Sequence, residues 1–325
     1  MRALTHDQFG DPTEVLSITE IPQPDPGPGE VRVRMLLSPI HNHDLLTIRG
    51  AYGFKPTMPA RAGTEAVGII DILGDGVDSL VLGQRVATGG TFGVWAEYFI
   101  AQASALVPIA DAISDEVAAQ LISMPFSAIS LLDSLKLNPG DWLVQNAANG
   151  AVGRLVAQLA AARGINAIGL VRRSAGIAEL AAQKVGNIVA TDTEEWTTQV
   201  HDFTGGAPII AGVDAVGGAS SGELLSLLAE NSTLVVFGAM ESPVMQINSS
   251  DIIFKQATLR GFWGSKVSTT MAAPKREALM GELIKHLGSG ALTLPVEATY
   301  SFHEAGIAAQ ANSEPGRSGK IMLRP

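Results

Sequence analysis

The sequence predicts an α/β chain in two parts, a β-rich barrel-like domain and a doubly wound domain with a parallel sheet. Three observations carry this expectation. At 325 residues the chain is too long for one ordinary core. To about residue 115 it reads as short apolar segments separated by turns, and from Ser114 strand and helix patterns alternate. A glycine-containing turn links the first strand of the alternating region to the helix after it.

In chain order, Met1 to Leu4 opens as a strand. Ile21 to Glu30 carries four prolines, which lack amide donors and resist helix, so it reads as an extended loop. Val31 to Met35 alternates apolar and charged residues as a half-buried strand does. Gly63 to Leu73 and Gly93 to Phe99 are further strand candidates. Ser114 to Leu132 is helical in pattern, with Ser114 as N-cap, Asp115 and Glu116 in the first turn, and a break at Pro125. Strands are then expected at Asp141 to Asn146, Ala167 to Val171, Ile188 to Ala190, Ile209 to Val216 and Ser232 to Phe237. Helices are expected at Val152 to Arg163, Ala175 to Lys184 and Gly222 to Ala229. This βαβ rhythm predicts a parallel sheet covered on both faces. A helix from Arg276 to Leu287 and strands at Val296 to Phe302 and Lys320 to Leu323 return the tail to the first domain. The expected division is residues 1–115 with 276–325, against 116–275.

The turn reads Asn146-Ala147-Ala148-Asn149-Gly150-Ala151-Val152-Gly153. Gly150 lets backbone approach a pyrophosphate, Gly153 lets the helix pack against the strand, and the helix N-terminus offers unpaired N–H groups to phosphate. A NAD site usually places an acid about 20 residues past the glycines to hold the ribose hydroxyls. Here Arg172-Arg173-Ser174 follows the second strand, two cations and a hydroxyl that suit the 2′-phosphate of NADPH.

A net charge of −10 argues against nucleic-acid binding, which needs a surplus of Lys and Arg. With no cysteine there is no disulfide, no thiolate zinc site and no Cys nucleophile. No signal segment, Arg-rich leader or apolar run of about 18 residues is seen, so a cytoplasmic protein without membrane contact is expected.

The chain resembles the medium-chain dehydrogenases/reductases, and within them the mitochondrial-type 2-enoyl thioester reductases. Four segments carry the resemblance: Arg49-Gly50-Ala51-Tyr52-Gly53 with Pro59 and Gly63-Thr64-Glu65; Gln145 to Gly153; Asp214 to Ser221; and Leu259-Arg260-Gly261-Phe262-Trp263. The resemblance implies a GroES-like β-rich catalytic domain and a Rossmann domain. It implies Tyr52 as the catalytic proton donor, with His41 and Trp263 lining the substrate pocket. It further implies that Asn149, Gly150, Ala151, Val152, Gly153, Arg172 and Arg173 hold NADPH, with Phe237, Gly238, Met240, Phe262 and Gly264 beside the nicotinamide. A homodimer paired through Leu234 to Phe237 and Thr258 to Phe262 also follows from it. On the residues alone, Tyr52 reads equally as an exposed loop tyrosine, and Trp263 as core. The chain departs from that family at His41-Asn42-His43-Asp44, where Asn-Pro-Ser-Asp is common, and at Met124-Pro125, where Asn-Pro is common.

Zinc-dependent relatives take ligands from an early Cys, a His in a Gly-His-Glu turn and a later Cys or Asp. His41, Thr64 and Met124 stand at those places, and a catalytic zinc needs about three protein ligands, so no metal is expected. His41 and His43, spaced i, i+2, would share a face only in an extended segment. The chemistry expected is hydride addition to the double bond of a 2-enoyl thioester, with the enolate oxygen stabilised and the α-carbon protonated. A quinone or another small enone is the alternative acceptor, and a nucleotide-binding protein without catalysis is the reading from another class. The run Lys255 to Arg276 holds Lys255, Arg260, Lys266, Lys275 and Arg276 and no acid. It is expected either to meet the phosphates of CoA or an acyl carrier protein, or to be a solvated face.

Overall fold

Glu30–Pro39, a ten-residue strand, is the longest in the chain and organises the first of two units. The computed structural model describes residues 1–183 and 185–325. Residues Met1–Ser123 with Leu294–Pro325 form one unit, and Met124–Thr293 the other.

In the first unit Glu30–Pro39 pairs antiparallel with Glu65–Leu73 on one side, and with Tyr98–Gln102 and then Lys320–Arg324 on the other. The full sheet runs Val296–Ser301, Lys320–Arg324, Glu30–Pro39, Glu65–Leu73, Arg85–Gly89, Leu106–Pro108. Register shifts at Arg32/Val33 and Met35/Leu37 let the long strand curl. Its alternate residues Val31, Val33 and Met35 enter a core with Leu4, Trp95, Phe99, Phe302 and Leu323. A smaller sheet holds Ser17–Glu20, Arg2–His6 and Ala60–Arg61. This is the β-rich, GroES-like domain.

The second unit contains six parallel strands in the order Ile188–Ala190, Asn166–Val171, Trp142–Gln145, Ile209–Asp214, Thr233–Val236, Thr258–Gly261. The chain starts in the middle and winds outward both ways. The order therefore reverses between Trp142–Gln145 and Ile209–Asp214, the Rossmann switch point at whose carboxyl end ligands bind. Val144, Ile168, Leu170, Val189 and Leu234 are buried in its core, as strands covered on both faces require.

The units divide after Ser123 and before Leu294, rather than at the 115/116 and 275/276 boundaries expected from sequence. Local bonds explain the shift. Arg85 holds Asp115 at 3.0 Å, tying helix Asp115–Ala118 to the first unit. Helix Ala273–Gly288 is tied into the second by Arg163 to Glu282 at 2.8 Å and Lys275 to Asp133 at 2.6 Å. The helical stretch expected from Ser114 to Leu132 with a break at Pro125 is two helices, Asp115–Ala118 and Ser123–Leu135, and the break falls before Ser123 rather than at the proline. Ser114 caps the first by accepting from Val117 N–H, and Pro125 sits in the first turn of the second, where no N–H is needed. The helix expected from Ala175 ends at Ala181, and Lys184 lies outside the described residues. Among the described residues no helix is long and apolar enough to cross a membrane.

Candidate functional site

The phosphate-turn residues of the second unit occupy the end of Trp142–Gln145 and the start of helix Ala151–Ala162. Gly150 is the N-cap, and Ala151, Val152 and Gly153 form the first turn, which contains no acid. The amides of a first helical turn have no intrahelical partner, so this turn presents free donors beside a positive helix end. A Cβ on Gly153 would stand 2.6 Å from Ala147 O and 2.9 Å from Ala148 Cα, so only glycine allows the helix this close. The cradle fits a pyrophosphate. Beneath it Asn146, buried, donates to Asp214 Oδ1 at 2.7 Å and accepts from Ala215 N–H at 2.8 Å. Asp214 also accepts from the amides of Val216 and Gly217 and from Ser221 Oγ. This cross-link pins the carboxyl ends of the two strands that flank the switch point.

Arg172 and Arg173 follow Val171 with both side chains exposed. Ser174 does not join them: its hydroxyl donates to Asp192 at 2.8 Å and its amide at 3.0 Å. Phe237, Gly238 and Met240 follow Thr233–Val236, and Phe262, Trp263 and Gly264 follow Thr258–Gly261, so all lie at carboxyl ends of the sheet. A Cβ on Gly238 would stand 2.7 Å from Ala215 O, and one on Gly264 2.6 Å from Ser127 Oγ. Phe262 is buried, whereas Met240 is 60% and Trp263 49% exposed, so Trp263 is not core.

In the first unit, helix Asn42–Ile48 begins after His41, whose amide donates to Asp44 Oδ2 at 2.9 Å. The helix ends because Gly50 turns left-handed (φ +71°), a conformation glycine adopts freely. Ala51 N–H and Tyr52 N–H both return to Leu46 O, at 2.9 and 3.2 Å. This reversal lays the half-buried Tyr52 ring beside His43, centroids 5.7 Å apart. The rings of His41 and His43 stack at 4.9 Å. They share a face although a helix starts between them, because His41 itself keeps extended backbone.

Two hydrogen bonds fix the proton on the His43 ring. Thr64 Oγ1 donates its single proton to Asp44 Oδ1 at 2.7 Å. Its oxygen therefore accepts from His43 Nε2–H at 2.8 Å.

His41, fully buried, uses both ring nitrogens: Nε2 is 2.6 Å from Glu65 Oε2 and Nδ1 is 2.9 Å from Lys320 Nζ. An ammonium can only donate, so Nδ1 accepts from Lys320 and Nε2–H donates to Glu65. Glu65 Oε1 accepts from the amides of Ile122 and Ser123, each at 2.7 Å. Burial, with the charge of Lys320 and the neighbouring His43, holds His41 well below its usual range. Burial pushes Glu65 up to about 7 against the pull of those two amides. Among the described residues no group of three or more His, Asp or Glu side chains is placed to hold a metal ion.

The bonding of Glu65, Lys320, Thr64, Asp44 and Asp214 went unforeseen. A faint signal existed in Lys320, a lone cation at the head of the apolar run Ile321-Met322-Leu323. The cationic run Lys255 to Arg276 stays mostly exposed, with four of its five cations bonded to neighbouring groups of the same unit. Lys255 bonds Asp251 and the carbonyls of Leu225 and Ser226, Arg260 bonds Ser134, Lys275 bonds Asp133, and Arg276 bonds Met271 O.

Residues 151–278 match the zinc-binding dehydrogenase family and residues 27–111 the alcohol dehydrogenase GroES-like domain. The mitochondrial enoyl-[acyl-carrier-protein] reductase of Bos taurus is 32% identical over 329 residues, spanning 99% of this chain and 88% of that one. A quinone oxidoreductase of Pseudomonas syringae superposes with a TM-score of 0.89 at 26% identity, covering 100% of this chain and 99% of the other. A mycobacterial protein solved with NADPH superposes with a TM-score of 0.89 at 26% identity, over 100% of both chains.

Proposed function

The chain belongs to the medium-chain dehydrogenase/reductase family and is an NADPH-dependent oxidoreductase of it, and we propose that it reduces the C=C bond of a 2-enoyl thioester with Tyr52 assisting protonation. The observation that carries the proposal is the placement of Tyr52 beside His43, whose ring is oriented by Thr64 and Asp44. Addition of hydride to a double bond leaves charge that must be quenched at a defined carbon, and a phenol held beside an oriented imidazole can supply that proton. In this reading Tyr52 gives its proton to the α-carbon and the phenolate takes one back from solvent, with the His43 ring holding the tyrosine in place.

NADPH is held by the first turn of Ala151–Ala162 through its amides, with Arg172 and Arg173 meeting the 2′-phosphate. When bound it supplies the hydride. Phe237, Gly238, Met240, Phe262 and Gly264 shape the nicotinamide end, and Trp263 and His41 belong to the acceptor side, His41 by anchoring His43 through stacking. No metal takes part in this reading, since His41 has both nitrogens engaged and Thr64 is spent on Asp44 and His43. The strand Thr258–Gly261, at an open sheet edge with Ile253 and Phe254 exposed nearby, supports a homodimer.

Quinone reduction is the second reading, favoured by the close superposition on a quinone oxidoreductase. NADPH oxidation measured with crotonyl-CoA and with a small quinone, on wild type and Tyr52→Phe, separates the two. A loss of about 10²-fold or more with the thioester, the size expected for removal of a general acid, supports the enoyl reading. Quinone turnover unaffected by Tyr52→Phe, with no thioester turnover, replaces it.

A further inference from the structure

The first unit contains a cavity of about 220 Å³ whose lining includes Arg61, Phe54, Phe92, Pro59, Thr64 and Asp44. Most of its walls are apolar or already satisfied. Asp44 is buried, with one carboxylate oxygen taken by His41 N–H and the other by the Thr64 hydroxyl. Phe54 and Phe92 pair at 4.3 Å with a tilt of 37° and are each about half exposed, so two flat apolar faces stand at the rim. Arg61 is the exception. Its guanidinium, on a residue that is exposed at the cavity, has no hydrogen bond or ion pair among the described residues and is free to meet a ligand there. It lies across Gly93, where a Cβ would stand 3.1 Å from Arg61 Nε and 3.4 Å from its Cζ. Gly93 adopts φ +83°, so glycine there serves both the turn and the resting place of the guanidinium.

We propose that this cavity is a carboxylate-binding pocket, taking a carboxylate on a small planar apolar body, with Arg61 as the ligating cation and Phe54 and Phe92 as the walls. A guanidinium offers a two-pronged donor fork matched to a carboxylate, and the aromatic pair favours a conjugated body over a flexible one. A monoanion suits the site better than phosphate, because the lining holds one partnerless cation and also the carboxylate of Asp44. The carboxylate is carried either by a free acid or by the acceptor itself. Only that last assignment rests on the reductase reading.

The test is calorimetric titration of the full chain with crotonate, its uncharged amide crotonamide, and inorganic phosphate. Crotonate is expected to bind at one site, with crotonamide and phosphate at least about tenfold weaker, and Arg61→Met is expected to weaken crotonate by about tenfold or more. Arg61→Lys keeps the charge without the fork and should fall between. Since Arg61 makes no internal bond, the variants should melt with wild type. Phe92→Ala should weaken crotonate and crotonamide alike. Equal binding of crotonate by wild type and Arg61→Met, phosphate binding as tightly as crotonate, or no saturable binding would each overturn the proposal. Because these are binding measurements, they stand whether or not crotonyl-CoA is reduced. Where it is, competitive inhibition by crotonate places the carboxylate on the acceptor, and non-competitive inhibition assigns it to a separate acid.

Discussion

His41 Nε2 and Glu65 Oε2 stand 2.6 Å apart with both side chains sealed from solvent. Such a pair has a distinctive proton balance. Unfolded, His41 titrates at 6.5 and Glu65 at 4.5. Folded, burial prevents His41 from charging while Glu65 is pushed up to about 7, so the folded pair takes up one proton near neutrality. Between 4.5 and 6.5 the unfolded residues also hold one proton, and the pair adds no slope to stability. Glu65→Gln removes the folded acceptor of that proton. Glu65 is not among the groups that depress His41, so the histidine stays neutral when folded and charges when unfolded. The stability of Glu65→Gln relative to wild type should therefore fall below pH 6.5, by up to about 1.4 kcal/mol per pH unit. Urea unfolding across the neutral to mildly acidic range measures it, and parallel curves for the two proteins would refute the assignment.

Gly153→Ala sets two effects against each other. Alanine gains up to about 1 kcal/mol of helix propensity over glycine. The added Cβ meets backbone at 2.6, 2.9 and 3.0 Å, and overpacking of that kind costs about 1–3 kcal/mol. The clash should dominate and displace the phosphate turn, raising KM for NADPH about tenfold. Gly281→Ala, in helix Ala273–Gly288 with nothing within 4 Å, is the control and should stabilise the chain by about 0.5 kcal/mol with KM unchanged.

Arg172→Ala should raise KM for NADPH by about tenfold or more, the worth of one charge-assisted hydrogen bond, and leave KM for NADH within about twofold. Ser174→Ala should leave both cofactors unchanged, because its hydroxyl already serves Asp192. Steady-state kinetics with each cofactor decides both points.

Features encoded by neighbours in sequence were legible before the structure. The glycine turn, the Ser114 cap and the alternation from Trp142 onward all express local rules, and they appear within a few residues of their expected places. Helices Asn42–Ile48, Trp196–Thr204, Ser249–Lys255 and Ala305–Ser313 escaped because seven to nine residues give barely two turns of periodicity. Bonds between distant residues were invisible for a different reason. Lys320 meets His41 across 279 positions, and Asn146 meets Asp214 across 68, so neither partner alters the local pattern around the other. Arg61 was unreadable because a guanidinium without a partner looks the same in sequence as one with several.

Gly63 has φ +87°, and a Cβ there would stand 2.2 Å from the Trp95 ring, so the indole lies directly under the cavity floor. Its Nε1–H donates to Ser38 Oγ at 2.9 Å, and Ser38 Oγ donates to the carbonyl of Glu65. Of the four tryptophans, the other three, Trp142, Trp196 and Trp263, lie in the second unit. With those replaced by phenylalanine, the chain would carry its own optical reporter: a change of charge at Glu65 or of occupancy above Gly63 would be written in the wavelength of a single indole that never touches solvent.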